Sequence, residues 1–174
     1  MTDDCEARLA QARAETRAAF ANRALMYAYF YDEFSAEVGE ERAAELMKRA
    51  IRRRGVEIGR AYAEAAEAGD LEQVARIFVE SSPSEGALFE PGVEAAAKGG
   101  EVVLRMTACP LADAWREAGY SPEAVERLCD IAAEVDYGTF EGAGLELEFL
   151  ERQACVGGER CLLRLSVPAE GSER

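Results

Sequence analysis

The sequence contains no histidine. The side chain that ordinarily titrates near neutrality is missing, so any proton transfer falls to carboxylates, thiols, lysine, tyrosine or water. Basic residues are scarce as well. Twenty Lys and Arg stand against 34 Asp and Glu, for a formal net charge of −14. That balance argues against nucleic acid and anionic membranes as partners, because there is neither a global attraction nor a dominant basic stripe. The local exception, KRAIRRRG from Lys48 to Gly55, reads as a solvated helix face balanced by acidic neighbours in preference to a phosphate site. No apolar run approaches the ~18 residues of a membrane span, and the acidic start MTDDCEAR lacks a signal peptide's positive end. A cytoplasmic protein is therefore expected. The five cysteines are odd in number and none are paired at CxxC spacing. This speaks against a disulfide framework and leaves the zinc-finger and thioredoxin signatures absent.

What is present is the material of a folded domain. Of 174 residues, 49% are hydrophobic and 31% charged, enough for a single domain with a substantial core. The expected fold class is α+β, with a helical N-terminal half packed on a small antiparallel sheet formed late in the chain. A leading helix is expected over about 4–20, within a peripheral or dimer-forming segment 1–21. The core domain is expected over 22–167 and a flexible tail over 168–174. A second helix covers about 22–37, with breaks near Asn22 and Gly39, and a third runs on to Gly69. Gly55 and Gly59, four apart within that helix, share a face and suggest close approach of another backbone. Asp70 caps a fourth helix that ends at Pro83. The Gly- and Pro-rich stretch that follows is read as irregular, with a short strand near Leu88. GEVVLRMTAC then forms a strand arriving at Cys109. Pro110 and Pro122 each occupy the first turn of a helix, the second capped by Ser121. LELEFLERQAC and RCLLRLSV alternate and face each other across VGGE as a hairpin.

The chemistry centres on RLCDIAAEVDYG, Arg127 to Gly138, read as the last three turns of one amphipathic helix. At about 100° per residue, Val125, Leu128, Ala132 and Val135 form its apolar stripe, and Cys129 and Asp136 fall within about 20° of each other at the stripe's edge. A thiol there is ordinary, since free cysteine behaves as a small hydrophobe. A carboxylate there is not, since an unpaired buried charge is costly. Asp136 either escapes to solvent at the helix end or meets a cation, a metal or a ligand's donor groups. Cys109 sits where a strand turns into a helix, and N–H groups at a helix start lower a thiol's pKa; an inert buried cysteine is the equal alternative. Cys155 and Cys161 flank the hairpin turn and, with Glu151, form a thiolate and carboxylate cluster compatible with zinc. Cys5 is incidental. Trp115 and YAYFYDEF read as core or interface.

Taken together, ALMYAYFYDEFSAEVGEERAAELMKRAIRRRGVEIG, ACPLADAWREAGYSPEAVERLCDIAAEVDYGTFEGAGLELEF and GGERCLLRL resemble the L-2-amino-thiazoline-4-carboxylic acid hydrolase family. The resemblance runs from about Ala21 to Leu165. Its Cys-Pro after a strand, its Cys-x6-Asp-like segment and its cysteine past a Gly turn correspond here to Cys109, to Cys129 with Asp136, and to Cys161. The resemblance implies a hydrolase that opens a small cyclic amidine, its name-giving substrate being a cysteine-derived thiazoline opened by water to a carbamoyl-cysteine. Cys109 is then the expected nucleophile, and Asp136 the group that holds the amidinium or moves a proton. Cys129 stands beside them, and Cys161 and Tyr137 are expected to bind substrate. A second version places zinc or another metal on Cys109, Cys129 and Cys161 with Asp136, or on a wider set that adds Glu151 and Cys155. The layout is also similar to 4-vinyl-reductase-type ligand-binding domains, which often dimerise through N-terminal helices and in some sensors hold zinc near the final hairpin. Here Cys155 and Cys161 lie closer together than in those sensors. The rival reading is thus a non-catalytic, sensor-like module for a small molecule, and a homodimer is expected under either.

Overall fold

A computed structural model describes residues 2–155 and 157–168. The tail expected over 168–174 lies outside the described residues except for its first position. The fold is α+β: among the described residues seven α-helices and a short 3-10 turn lead into and interrupt a four-stranded sheet. Among the described residues no helix is long and apolar enough to cross a membrane.

Helix α1 runs unbroken from Thr2 to Val38, correcting the expected break near Asn22. The segment holds neither Gly nor Pro, and its many alanines carry helix propensity across a lone Asn. Tertiary contacts then hold it straight. Ala24 and Ala28 are fully buried, and the Trp115 indole N–H donates to the Ala24 carbonyl at 2.7 Å. Away from that contact α1 exposes Met26, Tyr29, Phe30, Phe34 and Val38, with Phe30 and Phe34 stacked at 5.8 Å.

Helix α2 spans Glu40–Gly59 and α3 spans Ala63–Glu67, where a single helix to Gly69 was expected. The chain tightens at the end of α2, where Ala61 and Tyr62 donate to the carbonyls of Ile58 and Gly59. Gly69 does stop the helix, at φ 67°. Asp70 caps α4 (Leu71–Glu80) by accepting the Gln73 N–H at 2.9 Å. The strand expected near Leu88 begins instead at Pro91. Leu88 is buried in the preceding turn, where Ser84, Glu85 and Glu90 all take positive φ.

Strands β1 (Pro91–Lys98), β2 (Glu101–Met106), β3 (Glu146–Glu151) and β4 (Cys161–Ser166) pair in the order β1-β2-β4-β3, all antiparallel. Pro91, which lacks an N–H to donate, opens an edge strand, where that absence costs least. β3 and β4 form the expected hairpin, although residues 152–160 connect them rather than a four-residue turn. The buried face of β2 and β4, with Val102, Leu104, Leu163 and Leu165, packs against Val74 of α4 and Phe140.

Between β2 and β3 lie α5 (Pro110–Glu117), α6 (Pro122–Ala132) and α7 (Glu134–Gly142). Ser121 caps α6 as expected. The single helix ending at Gly138 is corrected to two: the axis bends at Ala133, and Gly138 lies mid-helix. Gly138 is there for contact. A Cβ at Gly138 would lie 2.2 Å from the Arg52 carbonyl oxygen on α2, and one at Gly55 would lie 2.3 Å from that of Val135. One at Gly59 would meet the Thr139 carbonyl oxygen at 2.4 Å. The Thr139 hydroxyl donates to the carbonyl oxygens of Val135 at 2.7 Å and Gly55 at 3.3 Å. The close backbone approach expected from Gly55 and Gly59 is therefore the α2–α7 contact.

Acidic residues of α6 and α7 absorb the basic cluster of α2. Lys48 pairs with Asp130, and Arg52 pairs with Glu134 at 2.9 Å and with Glu141. The run is a balanced helix face, as its composition suggested.

Candidate functional site

A cavity of about 280 Å³ opens where α1, α4, α5, α6, α7 and the sheet meet. Cys109, Cys129, Cys161 and Asp136 all border it. They arrive from four elements. Cys109 ends the segment after β2 and caps α5, Cys129 lies on α6, Asp136 on α7, and Cys161 begins β4. The bend at Ala133 means that the angular relation of Cys129 and Asp136 on one straight helix does not hold. Both nevertheless face the same space. A broader hollow of about 340 Å³ between α4 and β1 is lined by Ala75, Val79, Val93 and Val102 among others, and brings no thiol.

Asp136 lies deep in the protein, and the surface it keeps opens on the cavity. No donor among the described residues reaches its carboxyl group. Burial therefore acts almost unopposed and pushes its pKa up to about 7, with the charge of Arg152 the one opposing influence. Near neutrality the group is divided between acid and carboxylate, the condition for giving and taking a proton. Asp136 is half-buried, and it borders the cavity where the sequence left solvent escape open.

The thiols behave otherwise. Cys109 accepts the Ala112 N–H at 3.5 Å as the cap of α5. Burial raises its pKa and outweighs the backbone N–H groups of Ala112 and Leu111, which pull the other way. The lowered pKa expected from its place at a helix start is thus overturned. Cys129 is pushed up to about 12, by burial first and then by the neighbouring Cys161 and Cys109. Cys161, whose sulfur accepts the Gln153 N–H at 3.4 Å, is pushed up to about 11 by burial. All three are neutral thiols at neutral pH, and a nucleophilic role for any of them requires a base.

Three other expected residues lie off the cavity wall. Tyr137 packs its ring edge-on to Phe149 at 5.6 Å and accepts from Arg152 at 3.3 Å. Glu151 accepts the backbone N–H groups of Glu159 and Arg160 at 2.9 and 3.2 Å. Cys155 lies beside Glu126. Among the described residues no three Cys, Asp or Glu side chains are arranged to hold a metal ion. The set Cys109, Cys129, Glu151, Cys155 and Cys161 is therefore not assembled, because Glu151 and Cys155 are engaged elsewhere.

The fold also recruits residues that no motif marked. Arg23 borders the cavity with its guanidinium 4.4 Å from the Phe20 ring. With Asp136 it makes up the charged lining among the described residues. Arg152, behind the wall, is paired with Asp130 at 3.0 Å, and its guanidinium lies 4.5 Å from the Phe149 ring. From there it tempers both Asp136 and Cys129. Tyr62, Phe78, Phe89 and Phe140 complete much of the apolar wall.

No curated protein matches the chain. Among solved structures it is similar to a trafficking protein particle complex subunit 3 from Naegleria fowleri covalently bound to palmitic acid. That likeness has a TM-score of 0.49 at 13% identity, over 87% of this chain and 96% of that one. The family model described as L-2-amino-thiazoline-4-carboxylic acid hydrolase matches residues 18–165, which takes in α1 from before Phe20 through the end of the sheet and every residue bordering the cavity. The chain belongs to the L-2-amino-thiazoline-4-carboxylic acid hydrolase family.

Proposed function

We propose that the protein is a hydrolase that opens a small cyclic amidine of the amino-thiazoline type in the cavity lined by Cys109, Cys129, Cys161 and Asp136. The observation that carries this reading is Asp136, a deeply placed carboxyl group with no hydrogen-bond donor from the described residues, held near pKa 7 and facing that cavity. Such a group suits a ligand that brings its own N–H donors and positive charge. A protonated amidine does both.

In the reaction, Cys109 attacks the amidine carbon and Asp136 takes the thiol proton, supplying the base that the neutral thiol needs. The ring C–S bond breaks, and the departing sulfur takes the proton back from Asp136. The amidine carbon is then held on Cys109. Water adds to it with Asp136 again accepting a proton, and the Cys109 sulfur leaves as the thiol, releasing a carbamoyl product with a free thiol of its own. Cys129 and Cys161 line the space as neutral, polarisable groups.

The test is ring opening of 2-amino-2-thiazoline-4-carboxylic acid by purified protein, followed by the thiol it releases. Cys109→Ser and Asp136→Asn should each lower kcat/KM by roughly a hundredfold or more, the scale of a lost proton-transfer group. Unchanged activity in folded Cys109→Ser removes the thiol adduct from the scheme. Unchanged activity in folded Asp136→Asn removes the scheme altogether.

A further inference from the structure

The cavity is less polar than a bare amino-thiazoline acid calls for. Phe20, Phe78, Phe89, Trp115, Phe140 and Phe149 all border it, whereas its charged lining among the described residues is Arg23 and Asp136. The reactive groups come from α5, α6, α7 and β4. Phe20 and Phe89, packed edge-to-face at 5.3 Å, come instead from α1 and the turn before β1, which bring neither thiol nor carboxyl group to the wall. Size points the same way. A volume of about 280 Å³ corresponds to roughly nine waters at liquid density. Bonded atoms pack more closely than waters, so a ring acid of about nine non-hydrogen atoms leaves part of this space to water held against aromatic rings. Such water makes few hydrogen bonds, and replacing it with apolar surface is favourable.

We propose that the ligand of this cavity is a cyclic amidine carrying an apolar substituent, aromatic or branched alkyl, on a ring carbon, with Phe20 and Phe89 receiving that substituent. This rests on the amidine-ring reading for the chemistry at Asp136, but binding can be measured apart from turnover.

The experiment titrates the full-length protein, carrying Cys109→Ser throughout so that ring opening adds no heat, by calorimetry with 2-amino-2-thiazoline-4-carboxylic acid and with its 5-phenyl derivative. Ring opening is followed separately in the protein with Cys109 intact. The expected result is Kd at least tenfold lower for the phenyl compound, since burying a ring face of about 100 Å² at roughly 25 cal/mol per Å² permits a larger gain than that. In Phe89→Ala the preference should fall below threefold. Because the preference is a ratio within one protein, a general loss of stability does not imitate the effect. A preference below threefold with Phe89 in place, binding of neither compound, or an undiminished preference in Phe89→Ala overturns the proposal. Tight binding of the phenyl compound without ring opening would remove the hydrolase reading and leave this one standing. Ring opening of the bare ring with no preference would do the reverse.

Discussion

Replacing Asp136 with Asn should make the protein more stable, by an amount that grows with pH up to about 7 and is constant above it. The ordinary carboxyl pKa is 3.8, and in the folded protein burial carries it to about 7. Between these values the folded state binds more protons than the unfolded one, so stability falls as pH rises through that window and levels off above about 7. The full penalty is at most about 4 kcal/mol, at 1.36 kcal/mol for each tenfold change in proton affinity. Contact with solvent through the cavity reduces it. Asn fills nearly the same volume and does not ionise, so the difference between the two proteins isolates the carboxyl group from all other titrations. Relative to Asp136→Asn, the wild type should lose on the order of 2–3 kcal/mol between pH 5 and pH 8. Urea unfolding of both proteins at several pH values across this range, compared at constant slope, measures the difference directly. A difference that stays flat from pH 5 to pH 8 would refute the reasoning, because it would mean that Asp136 ionises as freely in the fold as outside it.

Gly55→Ala should destabilise by about 3 kcal/mol or more, because its Cβ would lie 2.3 Å from a backbone oxygen that cannot swing aside; a melting temperature within a degree of wild type would contradict this. Trp115→Phe removes the bond from a buried indole N–H to the Ala24 carbonyl, which keeps its own partner within α1, with an expected cost of about 1 kcal/mol by denaturant unfolding. Arg23→Gln should raise KM for carboxylate-bearing amidines about tenfold while sparing kcat, as expected for loss of a charged contact made equally in ground and transition states; a fall in kcat at constant KM would assign Arg23 elsewhere.

Local signals were readable wherever a single residue decides the backbone. Asp70 and Ser121 cap their helices, Gly69 stops one, Pro110 and Pro122 open others, and Gly55 with Gly59 announces a touching helix. The bend at Ala133 left no such mark, because it separates two segments of similar propensity with neither Gly nor Pro between them, and α2–α7 packing decides it. The unbroken α1 was missed for the converse reason: Asn22 is a weak breaker, and burial of Ala24 and Ala28 overrides it. At the site, periodicity flagged Asp136 as an anomaly, the strand-to-helix junction singled out Cys109 and the hairpin turn Cys161, and the family resemblance joined them into one set. Arg152, Tyr62 and Phe89 sit at no motif and reach the site only through long-range contacts, which one chain read residue by residue does not encode in any local pattern.

The glycine contact between α2 and α7 has a mechanical consequence for the cavity. At Gly55, Gly59 and Gly138 backbone meets backbone, a contact that side-chain rotation does not loosen, so α7 and the Asp136 it carries are tied closely to α2. The segment from Ser82 to Glu90 is built the other way: Ser84, Glu85 and Glu90 hold left-handed conformations that non-glycine residues adopt at a cost, and leaving them relieves strain. Phe89 is thus carried on the wall where the backbone is strained, and Asp136 on the wall where two backbones touch. A cavity divided in this way can change the size of what it accepts through substitutions in one loop, without readjusting its chemistry.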